Sequence, residues 1–211
     1  MTALLHKPQK SARKAKGDGH LRRAEILAAA ERIFLAQGYE GATIRKIADE
    51  VGVSSTALYM HFKDKDEILI EICTGAIEQL LSINSEISAE PIDSVARVRR
   101  MLEAYIQFGL NHPNAYRLVF CASPLANSLA KQEATNVLGA DCFERFVGVV
   151  REIAAEGRLR CGDARTAAQT LWAACHGLTA MIITKPSFDW ASPEEFTKVM
   201  MDSLLYGMIA D

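Results

Sequence analysis

The chain is poor in the features that mark specialised proteins. Only 13 glycines and 6 prolines occur among 211 residues, which excludes collagen-like and mucin-like chains. Hydrophobic residues make up 49% of the chain, too many for a wholly disordered protein. The five cysteines, Cys73, Cys121, Cys142, Cys161 and Cys175, form no CxxC pair and no recurring spacing. An odd, scattered set of this kind fits neither a disulfide framework nor a zinc site and is the usage of a reducing compartment. Among them Cys161, between Arg160 and Gly162, is the one with a flanking positive charge able to lower its pKa.

Long apolar runs are also missing. The most apolar stretch, Leu171 to Thr184, is interrupted by His176 and falls short of the ~18 residues that a membrane span needs. The positive charges near the amino terminus are followed by no apolar core of a secretory signal. A cytoplasmic protein with no membrane partner is expected. No phosphate loop, Gly-x-Ser-x-Gly turn, glycine-framed carboxylate pair or His-rich metal spacing occurs, so catalysis, metal and cofactor are not expected.

Taken as a sum, the net charge of -2 argues against nucleic acid, but the charge is segregated. Met1 to Lys65 holds 12 Lys+Arg against 7 Asp+Glu, a net +5, whereas Asp66 to Asp211 holds 12 against 19, a net -7. A basic front and an acidic remainder suggest two tasks.

No stretch alternates with period two long enough to form a strand, so the fold is expected to be all-α. Met1 to His20 lacks an apolar face and reads as a mobile basic arm, or as a merely solubilising tail. Ile26, Ala30, Ile33 and Phe34 then recur at helical spacing up to Gln37, before Gly38. Thr43 suits the cap of a short helix carrying Ile44, Ile47, Ala48 and Val51, which ends at Gly52. Ser54 or Ser55 suits the cap of a third, carrying Ala57, Leu58 and Phe62, and Asp64 or Asp66 opens a longer helix with Ile68, Ile72, Ala76, Leu80 and Ile83 in one stripe. Further helices are expected at about 92–111, 114–121, 125–156, 164–185 and 193–210, the third of these divided near Gly139 or continuous.

The informative stretch is Ala42 to Leu69. Two short helices around a tight turn at Gly52 make a helix-turn-helix, whose second helix enters the major groove. Ala48 is small enough for the helices to cross closely, and Val51, Val53 and Leu58 are apolar enough to hold the crossing. Ser55, Thr56, Tyr59, Met60 and His61 are then left to face outward, with Lys63 and Lys65 following and Arg45 at the start of the preceding helix. Such groups suit base edges and phosphate oxygens. The same geometry also occurs as an ordinary helical hairpin with a solvated face.

The order Gly38-Tyr39, Thr43, Ile47-Ala48, Gly52-Val53-Ser54, Leu58-Tyr59, His61-Phe62, Lys63, Lys65 and Leu69 resembles the amino-terminal domain of the tetracycline-repressor-like (TetR/AcrR) regulators. The resemblance covers residues 21 to 69. It implies a homodimer whose paired recognition helices read a palindromic operator in double-stranded DNA, with contacts at Thr43, Arg45, Ser55, Thr56, Ala57, Tyr59, Met60, His61, Lys63 and Lys65. By that resemblance Tyr59 and His61 hold phosphates, and Ser55, Thr56 and Met60 read bases; Met60 stands where an aromatic residue is usual in the family. The resulting division is an arm over 1–20, a DNA-binding domain over 21–66 and a helical effector-binding and dimerisation domain over 67–211.

Leu171-Trp172-Ala173-Ala174-Cys175-His176-Gly177-Leu178 is similar to the Trp-x-x-x-His-Gly pattern of one carboxyl-terminal subclass of these regulators. The resemblance implies a small effector bound in this domain. Tyr105, Phe108, Tyr116, Phe120, Phe143, Phe146, Trp172 and His176 are the candidate lining, and their low charge suggests an apolar or aromatic effector. Trp172 and His176 share a helix face; a buried His satisfied by a neighbouring carbonyl is the ordinary reading of such a pair, ligand contact the specific one. The small residues Ala173, Gly177, Thr179 and Ala180, together with the stripe Phe196, Val199, Met200, Leu204 and Met208, suit a four-helix bundle across a two-fold axis, or each monomer's own core. The expected function is a repressor released by a small-molecule effector. The alternatives are a constitutive DNA-binding regulator and a helical enzyme or binding protein that meets no DNA.

Overall fold

The computed structural model describes residues 19–121, 129–160 and 162–210. Most of the basic arm, the break at Ser123-Pro124 with the helix start at Leu125, and Cys161 lie outside the described residues. Among those described, the chain is helical, as expected. Its elements are α1 (Gly19–Gly41), α2 (Ile44–Glu50), α3 (Ser55–Tyr59), α4 (Lys65–Ser88), α5 (Ser94–Asn111), α6 (Pro113–Tyr116), a π-helical turn (Arg117–Cys121), α7 (Leu129–Ala155), α8 (Ala164–Thr184) and α9 (Pro193–Met208). The extended backbone includes one isolated antiparallel bridge, Leu159 to Ile209, where Ala210 N donates to Arg158 O at 2.7 Å. The chain divides into two compact units, Met1–Leu69 and Ile70–Asp211, so the division falls inside α4.

In the first unit the helix ends follow local chemistry. α1 is broken at Gly38, whose φ of 71° a residue with a Cβ rarely adopts. Thr43 caps α2 through its hydroxyl on Lys46 N, and Ser54, not Ser55, caps α3 on Ala57 N. Gly52 makes the intervening turn with a φ of 69°. Asp64, not Asp66, caps α4, accepting from Glu67 N at 2.9 Å, while Glu67 accepts from Lys63 N at 2.5 Å. Ile26, Ala30, Phe34, Ile47, Ala48, Leu58, Phe62, Ile68 and Leu69 are buried together. That core compensates for helices of 7 and 5 residues, which are too short to be stable alone.

In the second unit α5, α7 and α8 pack on one another, and α9 lies on α8 and α5. The buried core draws on Val98, Met101 and Ile106 of α5, Val147, Val150 and Ile153 of α7, Leu171, Cys175 and Leu178 of α8, and Met201, Leu205 and Met208 of α9. α7 runs unbroken through Gly139. Asp93, Asp163 and Ser192 cap α5, α8 and α9. The helix expected near 114–121 is a single α-turn that widens into the π-helical turn. α5 and α8 approach closely at Gly109, where a Cβ would stand 2.4 Å from Thr179 Cγ2 and 2.8 Å from Tyr116 Cδ2.

Candidate functional site

Two separate features bear on function. At the end of the first unit, α3 is anchored by fully buried Leu58 and, just beyond it, Phe62. On its other side Tyr59 is 56% and Met60 83% exposed. Thr43, Arg45, Thr56 and Lys63 are exposed as well, while Ser55, Ala57 and His61 are half-buried. Arg45 extends into solvent and makes only a 3.9 Å pair with Asp49. Tyr59 and Met60 are thus adjacent large side chains left in solvent at the end of a short helix whose other side is buried.

The basic residues behind this surface hold it together. Arg23 donates to His61 O at 2.5 Å and lies 4.0 Å over the Phe62 ring; Arg22 donates to Val51 O at 3.3 Å. Lys46 Nζ donates to Gln37 Oε1 at 2.6 Å and Gly41 O at 2.7 Å. Lys65, expected at a phosphate, also has partners within the fold. Its ammonium donates to Tyr39 O at 2.8 Å and Ala42 O at 3.4 Å and sits 4.0 Å over the Tyr39 ring. The carbonyls that end α1 attract a cation, and Lys65 serves them first.

The second unit contains a cavity of about 310 Å³. Of the eight candidate aromatic and His residues, Tyr105, Phe120, Phe143, Phe146 and Trp172 line it, while Phe108, Tyr116 and His176 do not. Phe108 turns to Ala76 and Leu80 of α4. Tyr116 and His176 stand behind Tyr105 in a polar cluster: Tyr116 Oη is 2.7 Å and Tyr105 Oη 3.1 Å from His176 Nδ1, and the two hydroxyls are 3.0 Å apart. Burial pushes both phenols up and the imidazole down. The phenols therefore stay protonated and the imidazole neutral, sharing hydrogen bonds at Nδ1. His176 is satisfied by hydroxyls, not by the carbonyl expected.

Sequence reasoning missed Ile77 and Asn84 of α4, Met101 and Leu102 of α5, Val119 of the π-helical turn, and Thr135, Asn136, Gly139 and Cys142 of α7. A signal was present in α7, where Thr135, Gly139, Cys142 and Phe146 recur at helical spacing and line one face. Among the described residues no cluster of His, Cys, Asp and Glu can hold a metal ion, and no helix is long and apolar enough to cross a membrane.

Comparison with known proteins bears on both units. Residues 26–72 match the family described as bacterial regulatory proteins, tetR family, and residues 98–204 match the tetracyclin repressor-like C-terminal domain. The HTH-type transcriptional activator FasR of Mycolicibacterium smegmatis is 33% identical over 99 residues, covering 47% of this chain but only 45% of that protein. The nucleoid occlusion factor SlmA of Vibrio vulnificus is 32% identical over 142 residues, 67% of this chain and 70% of its own. Among solved structures, the TetR-family regulator PfmR of Thermus thermophilus superposes with a TM-score of 0.72 at 24% identity, covering 87% of this chain and 95% of its own. The ketosteroid regulator KstR2 of Mycobacterium tuberculosis does so at 0.75 and 20% identity, covering 90% and 96%. With both of its units matched, this chain belongs to the TetR family and is a DNA-binding transcriptional regulator.

Proposed function

We propose that the protein is a homodimeric repressor that binds a palindromic operator through α3 and is released when a small apolar molecule enters the cavity of the second unit. The exposure of Tyr59 and Met60 on a helix anchored by Leu58 and Phe62 carries the DNA reading. In it Tyr59, His61 and Arg45 hold phosphates, and Ser55, Thr56 and Met60 meet base edges, with Thr43, Ala57 and Lys63 alongside. Two copies of α3 about 34 Å apart match one turn of DNA.

The dimer reading rests on an unpartnered face. Ala173, Met181 and Thr184 of α8 and Val199, Ser203 and Tyr206 of α9 are exposed at helical spacing, whereas Met201, Leu205 and Met208 turn inward. The effector reading rests on the cavity, lined mostly by apolar and aromatic side chains. The protein then acts in the cytoplasm, where the chromosome is.

A mobility-shift titration on the DNA upstream of the protein's own gene tests the reading. Arg45→Ala and Tyr59→Phe are expected to weaken binding, and loss of one phosphate contact lowers the slope of log affinity on log salt by about 0.9. Unchanged affinity in both variants at physiological salt removes α3 as the DNA-facing element.

A further inference from the structure

The cavity of the second unit has a chemical asymmetry that narrows its occupant, on the reading above that it is an effector site. Among the described residues none that lines it is charged. Arg145 and Arg165, on the helices that supply its wall, are engaged by Asp141 and Glu144. An ionised carboxylate entering there loses its hydration and gains no cation. The wall is nevertheless not wholly apolar. α4 contributes Asn84, and α7 contributes Thr135 and Cys142. Thr135 Oγ1 is buried without a hydrogen-bond partner. Asn84 Nδ2 donates to Cys142 Sγ at 3.5 Å, and sulfur is a weak acceptor. A buried hydroxyl without a partner is an arrangement that a ligand oxygen improves.

We propose that the cavity takes a neutral, mainly apolar molecule carrying a hydroxyl, ester or carbonyl oxygen that pairs with Thr135, and that it discriminates against the corresponding free acid. The apolar body lies against Phe120, Phe143 and Phe146, and the ligand oxygen meets the α4–α7 side. Discrimination comes from desolvation, so it tracks the ionisation of the ligand.

The chain has two tryptophans, of which Trp172 lines the cavity and Trp190 does not, so full-length protein carrying Trp190→Phe reports on the cavity alone. Its emission is titrated at pH 8 with 1-decanol, methyl decanoate and decanoate. The alcohol and the ester are expected to bind about a hundredfold tighter than the anion, with the gap closing toward pH 5 as the acid protonates. Thr135→Val is expected to weaken 1-decanol by about tenfold, and Thr135→Ser to retain it.

Decanoate binding at pH 8 as tightly as 1-decanol, or 1-decanol binding unchanged by Thr135→Val, overturns the inference while leaving the effector site standing. If none of the three probes alters Trp172 emission in protein with intact helical circular dichroism, the effector-site reading itself fails, and this inference with it.

Discussion

At the residue scale, Lys65 illustrates how one side chain answers to two demands. By its place after the recognition helix it reads as a phosphate contact; in the fold its ammonium closes the carbonyls of Tyr39 and Ala42 and stacks on the Tyr39 ring. The two roles predict different measurements. Lys65→Met keeps an unbranched apolar stem and removes the charge. If the role is structural, the variant loses about 1–2 kcal/mol of stability in urea unfolding, while the salt slope of DNA binding stays that of the parent. Arg45→Ala is expected to do the reverse, because Arg45 is exposed and its loss leaves no carbonyl without a partner. A reduced salt slope in Lys65→Met restores the phosphate role.

At the element scale, the packing of α5 on α8 depends on the missing side chain at Gly109. Alanine there gains up to about 1 kcal/mol of helix propensity, but its Cβ would meet Thr179 Cγ2 at 2.4 Å and Tyr116 Cδ2 at 2.8 Å. These atoms belong to α8 and α6, and Thr179 is buried and tied by its hydroxyl to Cys175 O at 2.8 Å, so neither neighbour yields easily. Gly109→Ala is expected to destabilise by about 1–3 kcal/mol. Thr179→Ser, which deletes the closer methyl, should return part of that loss in the double variant, and thermal unfolding of the three proteins checks it. Additive losses would mean that the clash is not with Thr179.

Elements were legible wherever the cause is local. Gly38, Thr43, Gly52 and Pro113 mark ends that depend on φ or on one capping bond, and the apolar stripes of α1 and α4 reflect the helical period. Ser54 against Ser55 and Asp64 against Asp66 stayed open because either residue type caps; only the bond to Ala57 N or Glu67 N decides. The candidate site was less legible. Five of the eight proposed cavity residues line it, because large aromatics gather where helices diverge. Tyr116 falls one layer behind just before a π-helical turn that no periodicity announces, and His176 on α8 is bonded to it there. Asn84 and Thr135 were missed because polar residues on a long helix usually mean solvent.

At the scale of the whole molecule, charge follows the two units: 12 Lys+Arg against 9 Asp+Glu through Leu69, a net +3, and 12 against 17 beyond it, a net -5. The acidic unit has no electrostatic reason to approach phosphates, so on the dimer reading its part in binding DNA is to pair two copies. That role has a measurable size. Linking two DNA-binding modules raises affinity by about 10²–10⁴-fold without a new contact. The α8–α9 face tests it, because Met181 and Val199 are exposed there and support no core of their own. Met181→Asp with Val199→Asp is expected to leave thermal stability of the single chain nearly unchanged and to place like charges across a two-fold interface. The variant should sediment as a monomer at micromolar concentration and lose at least about 100-fold in operator affinity. Its effector binding, measured by Trp172 emission, should persist, since the cavity is lined within one chain. A hundredfold release of DNA by effector requires about 2.7 kcal/mol of coupling, and operator DNA must then weaken effector binding by the same factor. In the monomeric variant that reciprocity should disappear if coupling acts on the separation of two recognition helices. If it persists undiminished, the effector acts within one chain, and the dimer contributes avidity alone.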